Sequence, residues 1–309
     1  MDQNDSCNNC TIDDFKKMAY PTIYISVFIL GSFGNGLSIY VFLQPYKKKT
    51  SVNVFMLNLA ISDFLFVWTL PLRATYYLMN SSWVFGDLGC RILSYALYVN
   101  MYSSIYFLTV LSIVRFVAIV HPFKHWKLTT IKYSRIICGV IWGFVMICAS
   151  RLLFLKAKDI NKCLDLQEGS SEKIRELNYI VLVVGFILPF CTIIVCYVLV
   201  IKALLKPRVP QAKIRAPHKK AVSTIVITLS LFLICFLPYH ILRTIYLQEW
   251  RKDNTFQGCN FLLHKGAVIT LCLAAMNSCL DPILYYFAGE NFKERFKNVY
   301  IKCSRCRNK

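Results

Sequence analysis

Two aspartates stand inside strongly apolar segments of this 309-residue sequence. Asp63 lies in LNLAISDFLF and Asp281 in NSCLDPILYYF, and both segments resemble membrane-spanning helices in their length and composition. Two carboxylates at similar depth repel each other unless a cation or a proton joins them, and oxygen ligands suit a hard cation. A neutral hydrogen-bonded cluster that only packs helices explains the same residues equally well.

Polar residues in neighbouring apolar segments complete this group. Asn35 lies in GSFGNGLSIY, Ser104 in MYSSIYFL and Asn277 just before Asp281. We predict a sodium site formed by Asp63, Ser104, Asn277 and Asp281, in which sodium acts as an allosteric ion. No other cofactor is expected, and the packing cluster stays open as the alternative.

A single arginine, Arg115, interrupts the apolar stretch LTVLSIVRFVAIVHPF. A guanidinium keeps its charge in proteins, and its cost at the centre of a bilayer is several kcal/mol or more. We expect Arg115 near the cytoplasmic end of its span, where snorkelling and water lower that cost. The preceding residue is Val114, which offers no ion pair.

Seven apolar runs must position these residues. They are Tyr20–Leu43, Val52–Tyr77, Ile92–Val120, Ile136–Leu155, Tyr179–Leu205, Ala221–Tyr246 and Ala267–Ala288. Each approaches or exceeds the ~20 residues that cross a bilayer as a helix, and 56% of the chain is hydrophobic whereas 17% is charged. We predict an all-α membrane protein with a seven-transmembrane helix bundle over 20–288 and an extracellular tail over 1–19. An amphipathic eighth helix and a short cytoplasmic tail are expected over 289–309.

The basic residues orient the bundle. The segments that share a side with the C-terminus contain 22 of the 36 Lys and Arg residues and only two acidic residues, Glu290 and Glu294. This distribution places the N-terminus outside and the C-terminus in the cytoplasm. The net charge of +20 then faces the inner membrane surface, where anionic lipids are partners, and not nucleic acid.

Cysteines and sequons fit that orientation. An oxidising exterior permits a disulfide between Cys90 and Cys163, while Cys259 can pair with Cys7 or Cys10, of which we favour Cys10. The predicted glycosylation sites all fall on the outer side: Asn4, Asn9 and Asn80. Two cysteines among basic residues after the last span, Cys303 and Cys306, suit reversible palmitoylation.

Motifs across nearly the whole chain resemble one family. They are GNG at Asn35, LNLAISD ending at Asp63, Cys90, VRF at Arg115, Trp142, Pro189 with Tyr197, FLPYH at Phe236–His240 and DPILY at Asp281–Tyr285. In order and position they are similar to the rhodopsin-like (class A) G protein-coupled receptors. The resemblance implies a receptor, not an enzyme, whose sixth span moves outward to admit a G protein. It also implies the residues of the coupling switch: Arg115, Tyr197, Phe236, Pro238, Asp281 and Tyr285.

Two departures from the family pattern bear on that switch. The residue before Arg115 is normally acidic and here is Val114, so a restraint on the resting state is missing or lies elsewhere. The motif around Pro282 begins with Asp281, which supplies a second carboxylate near Asp63.

The outer halves of the spans are basic and aromatic. The resemblance implies a ligand pocket at Arg73, Tyr76, Tyr98, Tyr102, Tyr239, His240, Arg243, His264 and Lys265. Arginine forks bind carboxylate or phosphate, and tyrosine offers apolar area with a polar tip. Leu97 occupies the place where amine receptors need an aspartate, and no lysine lies deep in the last span as opsins require. We therefore expect an anionic, amphipathic ligand.

Longer strings such as TSVNVFMLNLAISD and FLPYHILRTIYL resemble the branch of this family that responds to cysteinyl leukotrienes. The implied ligands are leukotrienes C4 and D4, and the implied partner is a Gq-type heterotrimeric G protein that acts through phospholipase C and calcium release. Purinergic-like nucleotide receptors and receptors for other anionic lipid mediators are the alternatives. The tail after the last span has Ser304 as its single Ser or Thr, which does not favour arrestin recruitment through the tail.

Other classes of membrane protein fit less well. A transporter predicts repeat symmetry between two halves, and the sequence has none that we find. A metalloenzyme helix needs two histidines four residues apart. His121 and His125 have that spacing, but Pro122 breaks any helix between them.

Overall fold

A computed structural model describes the backbone of residues 3–45, 50–121, 130–154, 163, 171–205, 215–252, 261–289 and 292–307. Within these residues, seven helical segments are long and apolar enough to cross a membrane. They are Ile12–Leu43, Ser51–Leu78, Gly86–Val120, Ile131–Phe154, Glu176–Leu205, Val222–Gln248 and Leu262–Ala288. The prediction of a seven-helix bundle is therefore confirmed.

The helices follow one another in a simple order. They are α1 (Gln3–Leu43), α2 (Ser51–Val67), α3 (Leu70–Leu78), α4 (Gly86–Val120), α5 (Ile131–Ala149), α6 (Arg151–Phe154), α7 (Ser171–Val181), α8 (Leu188–Leu205), α9 (Arg215–Leu231), α10 (Leu237–Lys252), α11 (Phe261–Ala288) and α12 (Phe292–Arg307). Four of the spans are made of two helical pieces: α2 with α3, α5 with α6, α7 with α8, and α9 with α10. The backbone of the expected outer tail is helical from Gln3 and continuous with the first span.

Local sequence explains where the second span begins and bends. Thr50 caps α2, because its hydroxyl accepts a hydrogen bond from the backbone N–H of Asn53 at 3.4 Å. The span is interrupted at Trp68 and Thr69, and α3 begins with Pro71 in its first turn. Proline has no N–H to donate and is favoured in the first turn of a helix. Pro71 therefore suits the start of α3, the outer part of the span, which carries Arg73.

Two short π-helical segments lie just before prolines. One covers Leu182–Ile187 and precedes Pro189, and the other covers Phe232–Phe236 and precedes Pro238. Proline favours a kink in a helix, and single-turn π-bulges are frequent at functional sites. Each segment therefore marks the place where a bend in its span is expected.

Glycines let the first span pack closely against the second and last spans. A Cβ atom on Gly34 would lie 2.8 Å from Cγ of Pro282, and one on Gly31 would lie 2.7 Å from Cγ1 of Val67. Small residues let membrane helices approach in this way. The close approach of α1 holds the end of α11 that carries Asp281 and Tyr285.

We expect Gly34→Ala to destabilise the bundle by about 1–2 kcal/mol, because the rigid ring of Pro282 cannot move aside easily. Thermal unfolding of the detergent-solubilised protein measures the effect. Gly139→Ala is the matched control, since a Cβ at Gly139 meets nothing within 4 Å and alanine favours the helix. Equal shifts in the two variants would contradict the steric explanation.

The eighth helix, α12, packs as its apolar periodicity predicted. Phe292 is buried, and Phe296 and Val299 pack against the core, while Lys293 and Lys297 are exposed. Arg295 Nη1 donates a hydrogen bond to the carbonyl of Phe42 at the end of α1, at a distance of 3.3 Å. One face of this helix is thus fastened to the bundle, and the exposed basic residues are placed to meet an anionic inner leaflet.

The outer disulfide between Cys90 and Cys163 is confirmed, with an S–S distance of 2.03 Å. Asn80 is exposed in the turn after α3, as a glycosylation site requires. Cys259 lies outside the described residues, and so do the side chains of the other predicted modification and pairing sites: Asn4, Asn9, Cys7, Cys10, Cys303 and Cys306.

Candidate functional site

Arg73 is a buried cation in the outer half of the bundle. Its side chain is 3% exposed, and its Nη2 donates a hydrogen bond to the carbonyl of Leu93 on α4 at 2.6 Å. It also lies within hydrogen-bonding reach of the Tyr24 hydroxyl on α1. Its Nε is buried without a hydrogen-bond partner among the described residues. Arg73 is therefore fixed in place with one donor still unused.

Arg243 on α10 faces the same place from the opposite side. Its Nη2 lies 3.5 Å from the hydroxyl of Tyr98 on α4, at the long end of hydrogen-bond geometry. Tyr98 also pairs with the hydroxyl of Tyr239 and lies within electrostatic reach of Arg73. Two arginines from α3 and α10 thus converge on one tyrosine.

Within the described residues, neither arginine forms an ion pair; the two ion pairs there join Lys16 to Asp13 and Arg91 to Asp87. A buried charge is expensive unless it is paired. A carboxylate or phosphate group of a ligand would satisfy these guanidinium groups.

Aromatic rings line the space beneath the arginines. Tyr98 and Tyr102 stack with their centroids 6.2 Å apart, and His240 stacks on Phe186 at 4.4 Å. A Cβ on Gly185 would lie 2.7 Å from Cε1 of Tyr102, so only glycine lets this ring pack against the π-helical segment. The result is a polar, positively charged entrance above an aromatic floor.

The remaining predicted pocket residues lie nearer to the rim. Tyr76 is fully buried and packs with Trp83, their ring centroids being 6.1 Å apart. His264 packs against Tyr246 with centroids 5.2 Å apart. Lys265 Nζ lies 5.2 Å above the ring of Phe15 on α1. The outer extension of the first span therefore reaches the mouth of the site.

A second polar site lies at the centre of the bundle. Asp63 Oδ1 accepts a hydrogen bond from Asn100 Nδ2 at 2.9 Å, and Asp63 Oδ2 accepts one from the hydroxyl of Tyr285 at 3.3 Å. Asp281 lies within hydrogen-bonding distance of Asp63 and also accepts from Asn277 Nδ2 at 3.1 Å. The two carboxyl groups are fully buried, so a proton or a cation must join them.

The sequence interpretation missed Asn100. Besides its bond to Asp63, it accepts a hydrogen bond from Ser278 Oγ at 3.1 Å, and so links α2, α4 and α11. A signal was available, because Asn100 lies four residues before Ser104 and the two therefore share a helix face. Within the apolar string ALYVNMY it did not stand out.

The oxygens of the central site fit a hard cation. Three buried acceptors have no hydrogen-bond partner among the described residues: Ser104 Oγ, Asn277 Oδ1 and Asp281 Oδ1. Asn35 supplies a fourth such atom, its Oδ1, while its amide donates to the carbonyl of Ser278 at 2.6 Å. Carboxylate, amide and hydroxyl oxygens are the donors that sodium prefers over nitrogen or sulfur.

At the inner end, Arg115 has a backbone acceptor. Its Nη2 donates to the carbonyl of Ala288, the last residue of α11, at 2.5 Å. Tyr197 pairs with Ser112 Oγ at 2.6 Å, and Tyr285 pairs with Asp63 as described above. The two tyrosines of the expected switch, Tyr197 and Tyr285, are thus each bonded to another side chain, although Tyr197 stays within electrostatic reach of Arg115.

The rest of the expected switch lies on the sixth span. Phe236 is fully buried at the end of the π-helical segment, and its ring meets that of Phe232 edge-on with centroids 5.4 Å apart. Pro238 follows in the first turn of α10. Phe236 and Pro238 thus lie between the outer site and Arg115, on the path by which a change at the outer site would reach the inner end of the bundle.

Comparisons with known proteins agree with this geometry. Residues 34–285 match the model of the 7 transmembrane receptor (rhodopsin family). The chain is 55% identical to cysteinyl leukotriene receptor 2 of Homo sapiens over 304 residues, and this alignment covers 97% of this chain and 86% of that protein. It is 44% identical to cysteinyl leukotriene receptor 1 of Homo sapiens over 92% of this chain and 86% of that protein. It is also 35% identical to the uracil nucleotide/cysteinyl leukotriene receptor of Homo sapiens, over 92% of this chain and 77% of that protein.

Proposed function

The chain belongs to the rhodopsin family of 7 transmembrane receptors, and we propose that its ligands are cysteinyl leukotrienes. It is a multi-pass receptor of the cell membrane with its N-terminus outside, and its family and relatives are receptors, not enzymes. The ligands proposed are leukotrienes C4 and D4, each with a peptide head that bears carboxylates and a long polyene tail.

One observation carries the proposal: Arg73 and Arg243 converge on Tyr98 with no carboxylate paired to either among the described residues. A ligand carboxylate supplies the missing charge and can bind a guanidinium through two parallel hydrogen bonds. The aromatic floor suits the apolar tail. The relatives' names point to the same ligand class.

The G protein partner is proposed to be of the Gq type, which activates phospholipase C and releases calcium. Arg115, at the inner end of the bundle, is the residue proposed to meet it, because α11 can release the guanidinium by moving its last carbonyl.

Calcium mobilisation in cells that express this chain tests the ligand and the coupling together. Leukotriene D4, applied at nanomolar to micromolar concentrations, is expected to raise cytosolic calcium. A selective Gq inhibitor is expected to abolish this response. A response to uridine or adenosine diphosphate but not to leukotriene would overturn the ligand assignment. A leukotriene response that survives Gq inhibition would overturn the coupling alone.

A nucleotide ligand is the second candidate, because one relative's name includes uracil nucleotides. A diphosphate would satisfy the same two arginines. The lower identity of that relative, 35% against 55% for the receptor 2 protein, favours the leukotriene.

Sodium binding at the central site is proposed as a regulatory feature. The residues that would hold the ion are Asp63, Ser104, Asn277 and Asp281. The last three each have an oxygen without a hydrogen-bond partner among the described residues, and Asp63 adds a carboxylate beside them. The bound charge would keep both carboxyl groups ionised and so favour the conformation in which they lie together.

Raising sodium from a choline-substituted buffer to about 150 mM is therefore expected to lower the affinity for agonist severalfold in the wild-type receptor. Asp281→Asn keeps the size of the side chain but removes one charge, and should abolish the sodium effect. Radioligand competition in the two buffers measures it. Equal sodium sensitivity in the two receptors would exclude this site.

A further inference from the structure

His240 lies at the floor of the outer site with an unused polar atom. Its side chain is 3% exposed, and its Nε2 is buried without a hydrogen-bond partner in the described part of the chain. A buried polar group that lacks a partner is destabilising, and most such groups in proteins are satisfied. The imidazole therefore has hydrogen-bonding capacity that these protein residues do not meet.

The surroundings of this ring belong to the ligand site. Its centroid lies 4.4 Å from that of Phe186, 5.3 Å from Tyr239 and 5.9 Å from Tyr102. Both tyrosines lie within electrostatic reach of Arg243. A molecule held by Arg243 would thus extend past these same rings toward His240.

The spacing of His240 and Arg243 along α10 determines how deep a ligand group at His240 lies relative to the anion at Arg243. His240 precedes Arg243 by three residues, which corresponds to about 4.5 Å along a helix and to nearly the same face. Of the two residues, His240 lies closer to Phe236 and hence to the centre of the bundle. A ligand group that meets His240 therefore lies about one helical turn deeper than the anion.

The chemistry of the imidazole ring limits which kind of ligand group can bind to His240. A neutral imidazole presents one donor and one acceptor, and the tautomer decides which of them is Nε2. A hydroxyl can donate and accept, so it pairs with either tautomer. A neutral hydroxyl is also far less costly to bury among aromatic rings than a second charge.

We propose that Nε2 of His240 hydrogen-bonds a hydroxyl group of the ligand, about one helical turn below the anionic group held by Arg243. The inference rests on the proposed function and adds a specificity determinant to it. Cysteinyl leukotrienes carry one hydroxyl, on the carbon beside the one that bears the sulfur, and so close to the peptide head. His240 selects ligands that have a hydroxyl at this position over those that lack it.

Competition binding with two probes, leukotriene D4 and its analogue without the hydroxyl, tests the inference. The wild-type receptor should bind the deoxy analogue about tenfold more weakly, as expected for one hydrogen bond in a buried site. His240→Phe keeps an aromatic ring for the stack on Phe186 but removes the nitrogen. This variant should bind leukotriene D4 about tenfold more weakly than the wild type does. Its affinity for the deoxy analogue should equal that of the wild type.

His240→Gln serves as the second variant, because its amide carries a donor and an acceptor near the place of Nε2. It should retain part of the preference for the hydroxylated probe. If His240→Phe weakened both probes equally, the residue would act through packing and the inference would be overturned. Equal affinity of the wild type for both probes would also overturn it while leaving the proposed function intact, whereas failure to bind either probe would overturn the proposed function itself.

Discussion

Replacing Arg243 with alanine should lower agonist potency about 100-fold while the number of receptors at the cell surface stays unchanged. Truncating one member of a buried, hydrogen-bonded charge pair typically weakens binding by about 2–5 kcal/mol. Arg243 has little to lose in the ligand-free protein, where its contact with Tyr98 measures 3.5 Å. The effect should therefore fall on binding and not on folding.

Concentration–response curves for calcium release, with surface staining in the same cells, measure this effect. Arg243→Lys keeps the charge but loses the planar fork, so an intermediate potency is expected. Arg151→Ala is the matched control, because Arg151 is an exposed arginine at the outer end of another span and should leave potency unchanged. Unchanged potency in Arg243→Ala would remove Arg243 from the ligand site.

The second large effect is expected next to Arg115. Val114→Asp should lower ligand-free signalling at least about threefold, because it places a carboxylate beside the guanidinium. Val114 is 3% exposed and packs in the core. A buried carboxylate is expensive unless it is paired, so the new aspartate is driven to pair with Arg115 and to hold it away from a G protein.

Val114→Asn separates the charge from the disturbance of the core. Asparagine has nearly the same shape as aspartate and similar polarity but no charge. Ligand-free G protein activation, normalised to surface receptor number, should fall in the aspartate variant and stay near the wild-type value in the asparagine variant. An equal fall in both variants would show that damage to the packing, and not a new ion pair, is responsible.

The spans were predictable because their cause is local: apolar length decides which segments cross a bilayer. The disulfide between Cys90 and Cys163 could be proposed because both cysteines lie on the oxidising outer side, which permits the pairing that the structure has. The π-helical segments were less accessible. Proline favours a bend, but whether a bend near Pro189 or Pro238 is taken up by a kink or by an extra residue in the preceding turn depends on the packing of neighbouring spans.

The candidate site was predictable in its residue types but not in its contacts. Arg73 and Arg243 were predicted because the family resemblance implies a pocket at their positions and arginine forks bind anions, yet their convergence on Tyr98 depends on how α3, α4 and α10 pack together. The position of Lys265 was likewise inaccessible from sequence, since its contact is Phe15 in the outer extension of α1. No periodic pattern links residues so far apart in the chain.

The acceptor of Arg115 has a consequence for genetics. The carbonyl of Ala288 belongs to the main chain, so every residue type at position 288 would supply the same oxygen. Ala288 is fully buried, so large residues there should destabilise the packing, but glycine or serine would be silent with respect to this bond. The restraint can be relieved only by a shift or unwinding of the helix end, so changes in helix length or at Gly289 are the lesions expected to reveal it.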